Sequence, residues 1–173
     1  GLAPEVRCSF GLRLLPDALV RDIQATDFDA LAIPGGFEEF GYYGEAYSAA
    51  VGELVRNFDR DGKPIATICV GALPVAHAGV LAGRRATTYC RGGSRRRDQL
   101  AAEGVEVVDD ELVQDRNIVT STGPGTAVEV AMALLETLNA HLTGIGFELR
   151  TQPGGSWLCA CPADHECATS EPA

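Results

Sequence analysis

One cysteine of the sequence stands where a nucleophile stands in many α/β proteins. Cys69 directly follows the apolar run at residues 64–68 and precedes Val70, Gly71 and a stretch of small and apolar residues typical of a helix. A turn from a strand into a helix exposes the side chain at the positive end of the helix dipole. Since that position stabilises a thiolate, we predict a lowered pKa and a nucleophilic sulfur for Cys69. The competing interpretation is a small buried cysteine that only ends a strand.

Backbone amides near this cysteine are candidates for holding a negative oxygen. Gly35 and Gly36 come just after the apolar run at residues 29–33, which is typical of a buried parallel strand. Because the carboxyl ends of parallel strands meet at one edge of a sheet, we expect these glycines to lie beside Cys69. The amides of Gly35, Gly36 and Val70 therefore form our predicted oxyanion and substrate-binding site.

Apolar runs of strand length alternate with helical segments along the chain. Strands are predicted at residues 6–15, 29–33, 64–68, 86–89, 105–108, 111–113 and 117–121. Helices are predicted at residues 16–23, 45–60, 70–83, 95–103 and 126–139. This order predicts an α/β fold with an open, mostly parallel sheet and helices on both faces. We place one domain at residues 1–147 and interpret residues 148–173, rich in Pro, Gly, Ser and Cys, as a disordered tail.

The composition restricts the partners. The 24 acidic residues outnumber the 14 basic ones, and the net charge of -10 disfavours nucleic acid and anionic membrane surfaces as ligands. No apolar run approaches the roughly 20 residues that span a membrane. The six cysteines do not form a spaced disulfide framework, so we expect a cytoplasmic protein.

Several other polar residues receive structural interpretations. His77 lies two helical turns beyond Cys69, and we interpret all three histidines as core or surface residues. Glu38 and Glu39 are interpreted as a solvated loop, and the arginines at residues 95–97 as a solvated helix start. Four tail residues are potential zinc ligands without a second cluster, so we predict no metal and no cofactor; they are Cys159, Cys161, His165 and Cys167.

Four segments, in this order, resemble the DJ-one/ThiJ/PfpI superfamily: LAIPGG at residues 31–36, ATICVGA at 66–72, GVLAGRRATT at 79–88 and TGPGT at 122–126. The resemblance implies a flavodoxin-like sandwich, a homodimer, and cysteine chemistry on small reactive carbonyls or glycated groups. The family relationship alone does not choose among these activities.

Three departures from that family pattern affect the expected mechanism. The family's first strand and helix, which carry an acidic partner of the cysteine, have no counterpart in the sequence, so we expect them upstream, with the strand next to that of Cys69. Val70 replaces the histidine of peptidase-like members, which argues against peptidase activity. Cys90 and Gly104 stand where some relatives have histidine, so no Cys–His pair is evident.

Two functions remain open at this point. The first is a cofactor-independent, glyoxalase- or deglycase-like enzyme in which the Cys69 thiolate adds to an aldehyde and a carboxylate outside the chain moves the proton. The second is a redox-sensing or chaperone-like stress protein in which Cys69 is oxidised without turnover. A glutamine amidotransferase is disfavoured, because the turn at residues 123–126 carries neither the histidine nor the glutamate it needs.

Overall fold

The computed structural model describes residues 1–144, 148–151 and 157–160. Its strands are β1 (Val6–Arg7), β2 (Arg13–Leu14), β3 (Leu31–Ile33), β4 (Ile65–Thr67), β5 (Arg85–Ala86), β6 (Glu106–Val107), β7 (Leu112–Asp115), β8 (Ile118–Ser121), β9 (Glu148–Thr151) and β10 (Trp157–Ala160). Its α-helices are α1 (Tyr42–Ala46), α2 (Ala49–Arg60), α3 (Ala72–His77), α4 (Arg96–Ala102) and α5 (Ala127–Gly144). Short 3₁₀ turns occur at Ser9–Gly11, Val20–Asp22, Ala25–Asp27, Glu38–Phe40, Cys69–Gly71 and Pro124–Thr126.

A four-stranded sheet with the order β3-β4-β8-β7 forms the centre of the fold. β3, β4 and β8 run parallel, with Leu31 opposite Ile65 and Ile65 opposite Ile118. β7 pairs with β8 in the antiparallel direction. β5 and β6 form a separate parallel pair. The predicted α/β fold with a mostly parallel, flavodoxin-like sheet is therefore confirmed.

Helices cover both faces of this sheet because its central residues alternate in direction. Ile65 and Ile118 belong to one apolar cluster together with buried side chains of α2 and α3, including Val55 and Phe58. The residues that follow them in the strands, Ala66 and Val119, belong to a second cluster with Val130 and Ala133 of α5. Successive strand side chains point to opposite faces, so two layers of helices are needed to bury them.

The first part of the chain differs from the sequence prediction. The single strand predicted at residues 6–15 is a hairpin, in which β1 and β2 pair antiparallel around a 3₁₀ turn. Phe10 and Gly11 have φ angles of 63° and 84°, and this left-handed backbone reverses the chain. The helix predicted at residues 16–23 is also wrong, since only the turn Val20–Asp22 is helical there.

Two predicted helices have different boundaries in the structure. The helix predicted at residues 45–60 is divided, because the Ser48 hydroxyl accepts a hydrogen bond of 3.4 Å from the Val51 amide and starts α2 anew. The helix predicted at residues 70–83 ends early, at His77, because Gly79 adopts a left-handed φ of 85° that stops helix growth.

The neighbours of β4 also correct the sequence analysis. β4 pairs with β3 on one side and with β8 on the other. A further strand therefore cannot lie directly beside the strand that ends at Cys69, and the expectation that it would is wrong. Within the described residues, the edges of the four-stranded sheet belong to β3 and β7.

Two short strands lie in the segment that the sequence analysis interprets as a tail. β9 and β10 pair antiparallel, with Thr151 opposite Trp157. The remainder, at residues 145–147, 152–156 and 161–173, lies outside the described residues, so disorder there stays a prediction. Among the helices of the described ranges, none has the length and apolar character that a membrane crossing requires.

Candidate functional site

Cys69 occupies a strained turn at the carboxyl end of β4. Its φ angle is 61°, a left-handed conformation that is uncommon for a residue with a side chain. Two hydrogen bonds hold this turn: the Gly71 amide donates to the Ile68 carbonyl at 3.0 Å, and the Thr88 hydroxyl donates to the Cys69 carbonyl at 2.9 Å. The backbone thus bends sharply at Cys69 and leaves its side chain half-buried at the edge of the sheet.

The turn that follows β3 packs directly against Cys69. A Cβ atom placed on Gly35 would lie 2.8 Å from the Cys69 Cβ and 3.3 Å from its Sγ. A Cβ on Gly71 would lie only 2.5 Å from the carbonyl oxygen of Ile33. Since real Cβ atoms do not approach other heavy atoms so closely, only glycine fits at Gly35 and Gly71 without a shift of the backbone. The two strand ends therefore meet as the sequence analysis predicts.

A cavity of about 740 Å³ opens above these two turns. Its walls include all the residues predicted to form the site, Cys69, Gly35, Gly36 and Val70. They also include residues that the sequence analysis did not assign to a site: Phe37, Glu38, Glu39, Tyr89, Arg96, Pro124 and Ala127. The volume is within the range of pockets that bind small molecules. We call this space the Cys69 cavity.

The electrostatic environment of the thiol differs from the prediction. Burial raises the pKa of Cys69 above its ordinary value, while the Val70 amide and the Arg96 guanidinium lower it in part. Desolvation is the larger effect, so the predicted net lowering of the Cys69 pKa is wrong. The helix that was expected to supply the field begins only at Ala72, after a 3₁₀ turn. A thiolate formed from a thiol of raised pKa is a stronger intrinsic nucleophile, although fewer molecules carry it at neutral pH.

Arg96 joins two segments that the sequence analysis treated as solvated. Its Nη2 atom donates to a carboxylate oxygen of Glu38 at 2.8 Å, and its Nη1 atom donates to Gln99 at 3.0 Å. Its guanidinium carbon also lies 5.0 Å from the centre of the Tyr43 ring, in cation–π geometry. Arg96 and Glu38 both line the Cys69 cavity. The Arg96 side chain is only 22% exposed, so its interpretation as a solvated residue is wrong, whereas the Glu38 side chain is 70% exposed, as a solvated loop residue is.

Tyrosines form a second group that sequence reasoning missed. The hydroxyl of Tyr42 donates to the carbonyl oxygen of Pro34 at 2.8 Å, and its ring lies so close to Gly36 that a Cβ there would be 2.2 Å away. Burial raises the pKa of Tyr42, so its phenol stays protonated and acts as a donor. Tyr89, which follows the buried Thr88, lines the Cys69 cavity directly. No periodicity marks these tyrosines, because their role depends on turns that bring distant segments together.

Neither of the two histidines that the structure describes, His77 and His141, lines the Cys69 cavity. His77 lies against Tyr47, with ring centres 4.6 Å apart, and its Nδ1 atom is 3.3 Å from a carboxylate oxygen of Glu103. His141 lies in α5. Within residues 1–144, 148–151 and 157–160, no three side chains form a candidate metal site. Cys161, His165 and Cys167 lie outside the described residues.

The raised pKa of Cys69 predicts the pH dependence of its alkylation. Only the thiolate reacts with iodoacetamide, so the rate rises with pH and reaches half its maximum at the pKa. We expect that midpoint to lie at higher pH in the folded protein than in the same protein unfolded in guanidinium chloride, where burial is absent. Peptide mass spectrometry of quenched samples measures the rate at Cys69 alone. A folded-state midpoint at or below the unfolded one contradicts the dominance of burial.

An α/β sheet with a strained cysteine turn and a facing glycine turn defines a known class of protein. The sequence model of the DJ-1/PfpI family matches residues 3–137. The chain is 35% identical over 133 residues to Protein dj-1beta of Drosophila melanogaster, covering 77% of this chain and 68% of that protein. The crystal structure of that DJ-1beta superposes with a TM-score of 0.66 at 33% identity, over 82% of this chain and 76% of that one. The chain therefore belongs to the DJ-1/PfpI family.

Two further relatives carry names that state an activity. The glutathione-independent glyoxalase DJR-1.2 of Caenorhabditis elegans is 33% identical over 133 residues, which cover 77% of this chain and 67% of the relative. The deglycase PfpI of Pyrococcus furiosus is 38% identical over 115 residues, which cover 66% of this chain and 65% of the relative. The chain thus spans about two thirds of the length of these relatives.

Proposed function

We propose that this protein is a cysteine-dependent enzyme that acts on small reactive carbonyls or glycated groups, in the manner of a glyoxalase or deglycase. The observation that carries the proposal is the placement of Cys69, at a left-handed turn beside Gly35 and inside a cavity of about 740 Å³. Two relatives at 33% and 38% identity, named as a glyoxalase and a deglycase, support the same class of substrate.

In the proposed reaction the Cys69 sulfur adds to the aldehyde carbon of a 2-oxoaldehyde such as methylglyoxal. The electron pair of the C=O bond moves to oxygen, which takes up a proton, and a hemithioacetal forms. The amides of Gly35, Gly36 and Val70 are the proposed donors to that oxygen. Transfer of the C1 proton to C2 then gives a thioester, and water releases the 2-hydroxy acid and the free thiol. Oxidation at C1 balances reduction at C2, so the reaction needs no external oxidant or cofactor.

The residues that move protons in this reaction are proposed from the lining of the Cys69 cavity. Glu38 and Glu39 are its carboxylates within the described residues, and Arg96 holds Glu38 in an ion pair. Tyr89, at the position after Thr88, also lines the cavity and carries a hydroxyl that can donate a proton. A carboxylate and a phenol together can serve as base and acid in a proton transfer between neighbouring carbons.

Consumption of methylglyoxal by the purified protein tests the proposal. We expect lactate to form in an amount equal to the methylglyoxal consumed, without glutathione or added metal. The alternative is a redox-sensing or chaperone-like protein in which Cys69 is oxidised. Oxidation of Cys69 by mild peroxide in a protein that turns over neither methylglyoxal nor a glycated amine supports that alternative and contradicts the enzyme.

The proposal includes a homodimer, and an exposed aromatic cluster predicts where two copies meet. Phe10, Phe37 and Phe40 are 89%, 49% and 57% exposed, and their ring centres lie 6.1–6.2 Å apart. Burying such rings stabilises an interface. Phe10→Asp should convert a dimer into a monomer in sedimentation velocity, whereas Val128→Asp, on an exposed position of α5, should leave it dimeric. An unchanged sedimentation coefficient for Phe10→Asp contradicts this interface.

A further inference from the structure

A second cavity adjoins the Cys69 cavity and is rich in arginine. It has a volume of about 760 Å³, and Arg91, Arg95 and Arg96 line it. Glu38, Tyr89 and Arg96 line both cavities, so the two spaces share a wall. We call the second space the arginine groove. A molecule that is bound at Cys69 and extends past this shared wall would enter the groove.

The charge of the groove is unusual for this chain. The whole sequence has 24 acidic and 14 basic residues, yet four of the arginines fall at positions 91, 95, 96 and 97. Two carboxylates, Glu38 and Asp98, also line the groove, and Glu38 is engaged by Arg96. The groove therefore keeps a positive balance in an otherwise acidic protein.

Two arginines of the groove have no protein partner among the residues that the structure describes. Arg96 is held by Glu38 and Gln99, and Arg97, which does not line the groove, is held by Asp109 at 2.5 Å. The side chains of Arg91 and Arg95, by contrast, are exposed, and their guanidinium groups make neither an ion pair nor a hydrogen bond with the described residues. Guanidinium groups with free donors bind carboxylates and phosphates, often through two parallel hydrogen bonds.

We propose that the substrate of Cys69 carries an anionic oxygen group, a carboxylate or a phosphate, which Arg91 and Arg95 bind while its carbonyl reaches the sulfur. This inference rests on the proposed function in one respect, namely that Cys69 adds to carbonyls. Arg96 separates the two binding regions, because its donors to Glu38 and Gln99 fix it in the shared wall. The substrate class is therefore an aldehyde with an anionic group several bonds away, and a neutral carbonyl such as methylglyoxal binds less tightly.

The chemical step that tests this proposal is reversible addition. The Cys69 sulfur forms a bond to the aldehyde carbon, and the π electrons of the carbonyl move to its oxygen. That oxygen takes up a proton equal to the one the thiol has lost, so no group leaves and nothing is oxidised. While the hemithioacetal exists, the sulfur cannot react with iodoacetamide, so protection from alkylation measures binding of the aldehyde without any turnover.

The experiment compares matched pairs of aldehydes as protectants of Cys69 in the full chain. 4-Oxobutanoate is compared with butanal, and glyceraldehyde 3-phosphate with glyceraldehyde. In at least one of the two pairs, we expect the anionic aldehyde to protect Cys69 at about a tenfold lower concentration than its neutral partner. A tenfold difference is the affinity gain that one good ionic contact provides. The larger of the two ratios identifies the group as a carboxylate or a phosphate. Ratios near one in both pairs overturn the proposal.

Variants assign the effect to the groove. Arg91→Gln/Arg95→Gln should bring the ratio of the protecting concentrations of the neutral and anionic aldehydes close to one. It should leave protection by the neutral aldehydes unchanged. Arg21→Gln/Arg56→Gln removes the same charge from two exposed positions that line neither cavity, and it should keep the wild-type ratio. A ratio that survives Arg91→Gln/Arg95→Gln overturns the proposal, because another part of the surface then attracts the anion.

A last arm needs no carbonyl chemistry, so it separates the failure of this inference from the failure of the proposed function. Iodoacetate and iodoacetamide differ mainly in one negative charge, and both alkylate Cys69. We expect the rate constant for iodoacetate, divided by that for iodoacetamide, to fall several-fold in Arg91→Gln/Arg95→Gln. The measurement is made at low ionic strength, where charges are least screened. If no aldehyde protects Cys69 but this ratio falls, the carbonyl chemistry is wrong and the anion site stands. An unchanged ratio overturns the anion site.

Discussion

Cys69→Ser is expected to lower kcat/KM for methylglyoxal by a factor on the order of 10³ or more, because loss of a catalytic nucleophile removes the covalent pathway. The serine hydroxyl is close in size to the thiol but is a far weaker nucleophile at neutral pH. The strained turn should survive, since its hydrogen bonds from Gly71 and Thr88 involve backbone atoms of Ile68 and Cys69. Initial rates at several substrate concentrations measure the effect.

Two other cysteines provide the matched controls. Cys8 and Cys90 are half-buried like Cys69, but neither lines the Cys69 cavity. Cys8→Ser and Cys90→Ser should therefore keep kcat/KM within about a factor of three of the parent, a difference of less than 1 kcal/mol in the barrier. Retention of most activity in Cys69→Ser, with a melting temperature equal to that of the parent, shows that another residue carries the reaction.

Gly71→Ala is expected to lower the melting temperature by about 2–12 °C and to lower kcat/KM for methylglyoxal. The added methyl group would lie 2.5 Å from the Ile33 carbonyl oxygen and 3.1 Å from that of Pro34, and backbone atoms cannot move aside as a flexible side chain does. Overpacking of this kind costs about 1–3 kcal/mol. Each kcal/mol shifts the melting temperature by roughly 2–4 °C in a domain of this size.

The value of kcat/KM should fall with the stability because Gly71 fixes the distance between the turns after β3 and β4, and with it the position of the proposed oxyanion donor Gly35. If β3 moves away to relieve the contact, Gly35 leaves the neighbourhood of the Cys69 sulfur. Gly44→Ala is the matched control: it adds the same methyl group in α1, where no atom beyond the local helix backbone lies within 4 Å of it. The control should melt at the parent temperature or slightly above it, since alanine favours helix. Equal melting curves for the two variants contradict the close approach at Gly71.

The order of strands and helices and the position of Cys69 were determined by local sequence. Short apolar runs such as residues 64–68 predict buried strands, because both faces of a covered parallel sheet are buried and successive side chains of its strands must nearly all be apolar. Cys69 and Gly35 come directly after two such runs, and parallel strands bring their carboxyl ends to one edge. The residues of the site could therefore be chosen from the sequence, together with the family resemblance of its segments. Local pattern failed at residues 6–15, where a reversal at Phe10 and Gly11 divides what looks like one strand.

Only the tertiary structure decided the electrostatics of the site. The pKa of Cys69 is raised because burial desolvates the thiol. Its position in the sequence, just before a helix, predicted the opposite, a lowered pKa. Glu38 and Arg96 are 58 positions apart, and nothing in either segment predicts that they form an ion pair. The same holds for the pairing of β4 with β8, and for the space in which Arg91 and Arg95 lie beside the Cys69 cavity. Such contacts arise from packing between distant segments, so they appear only when the chain is folded.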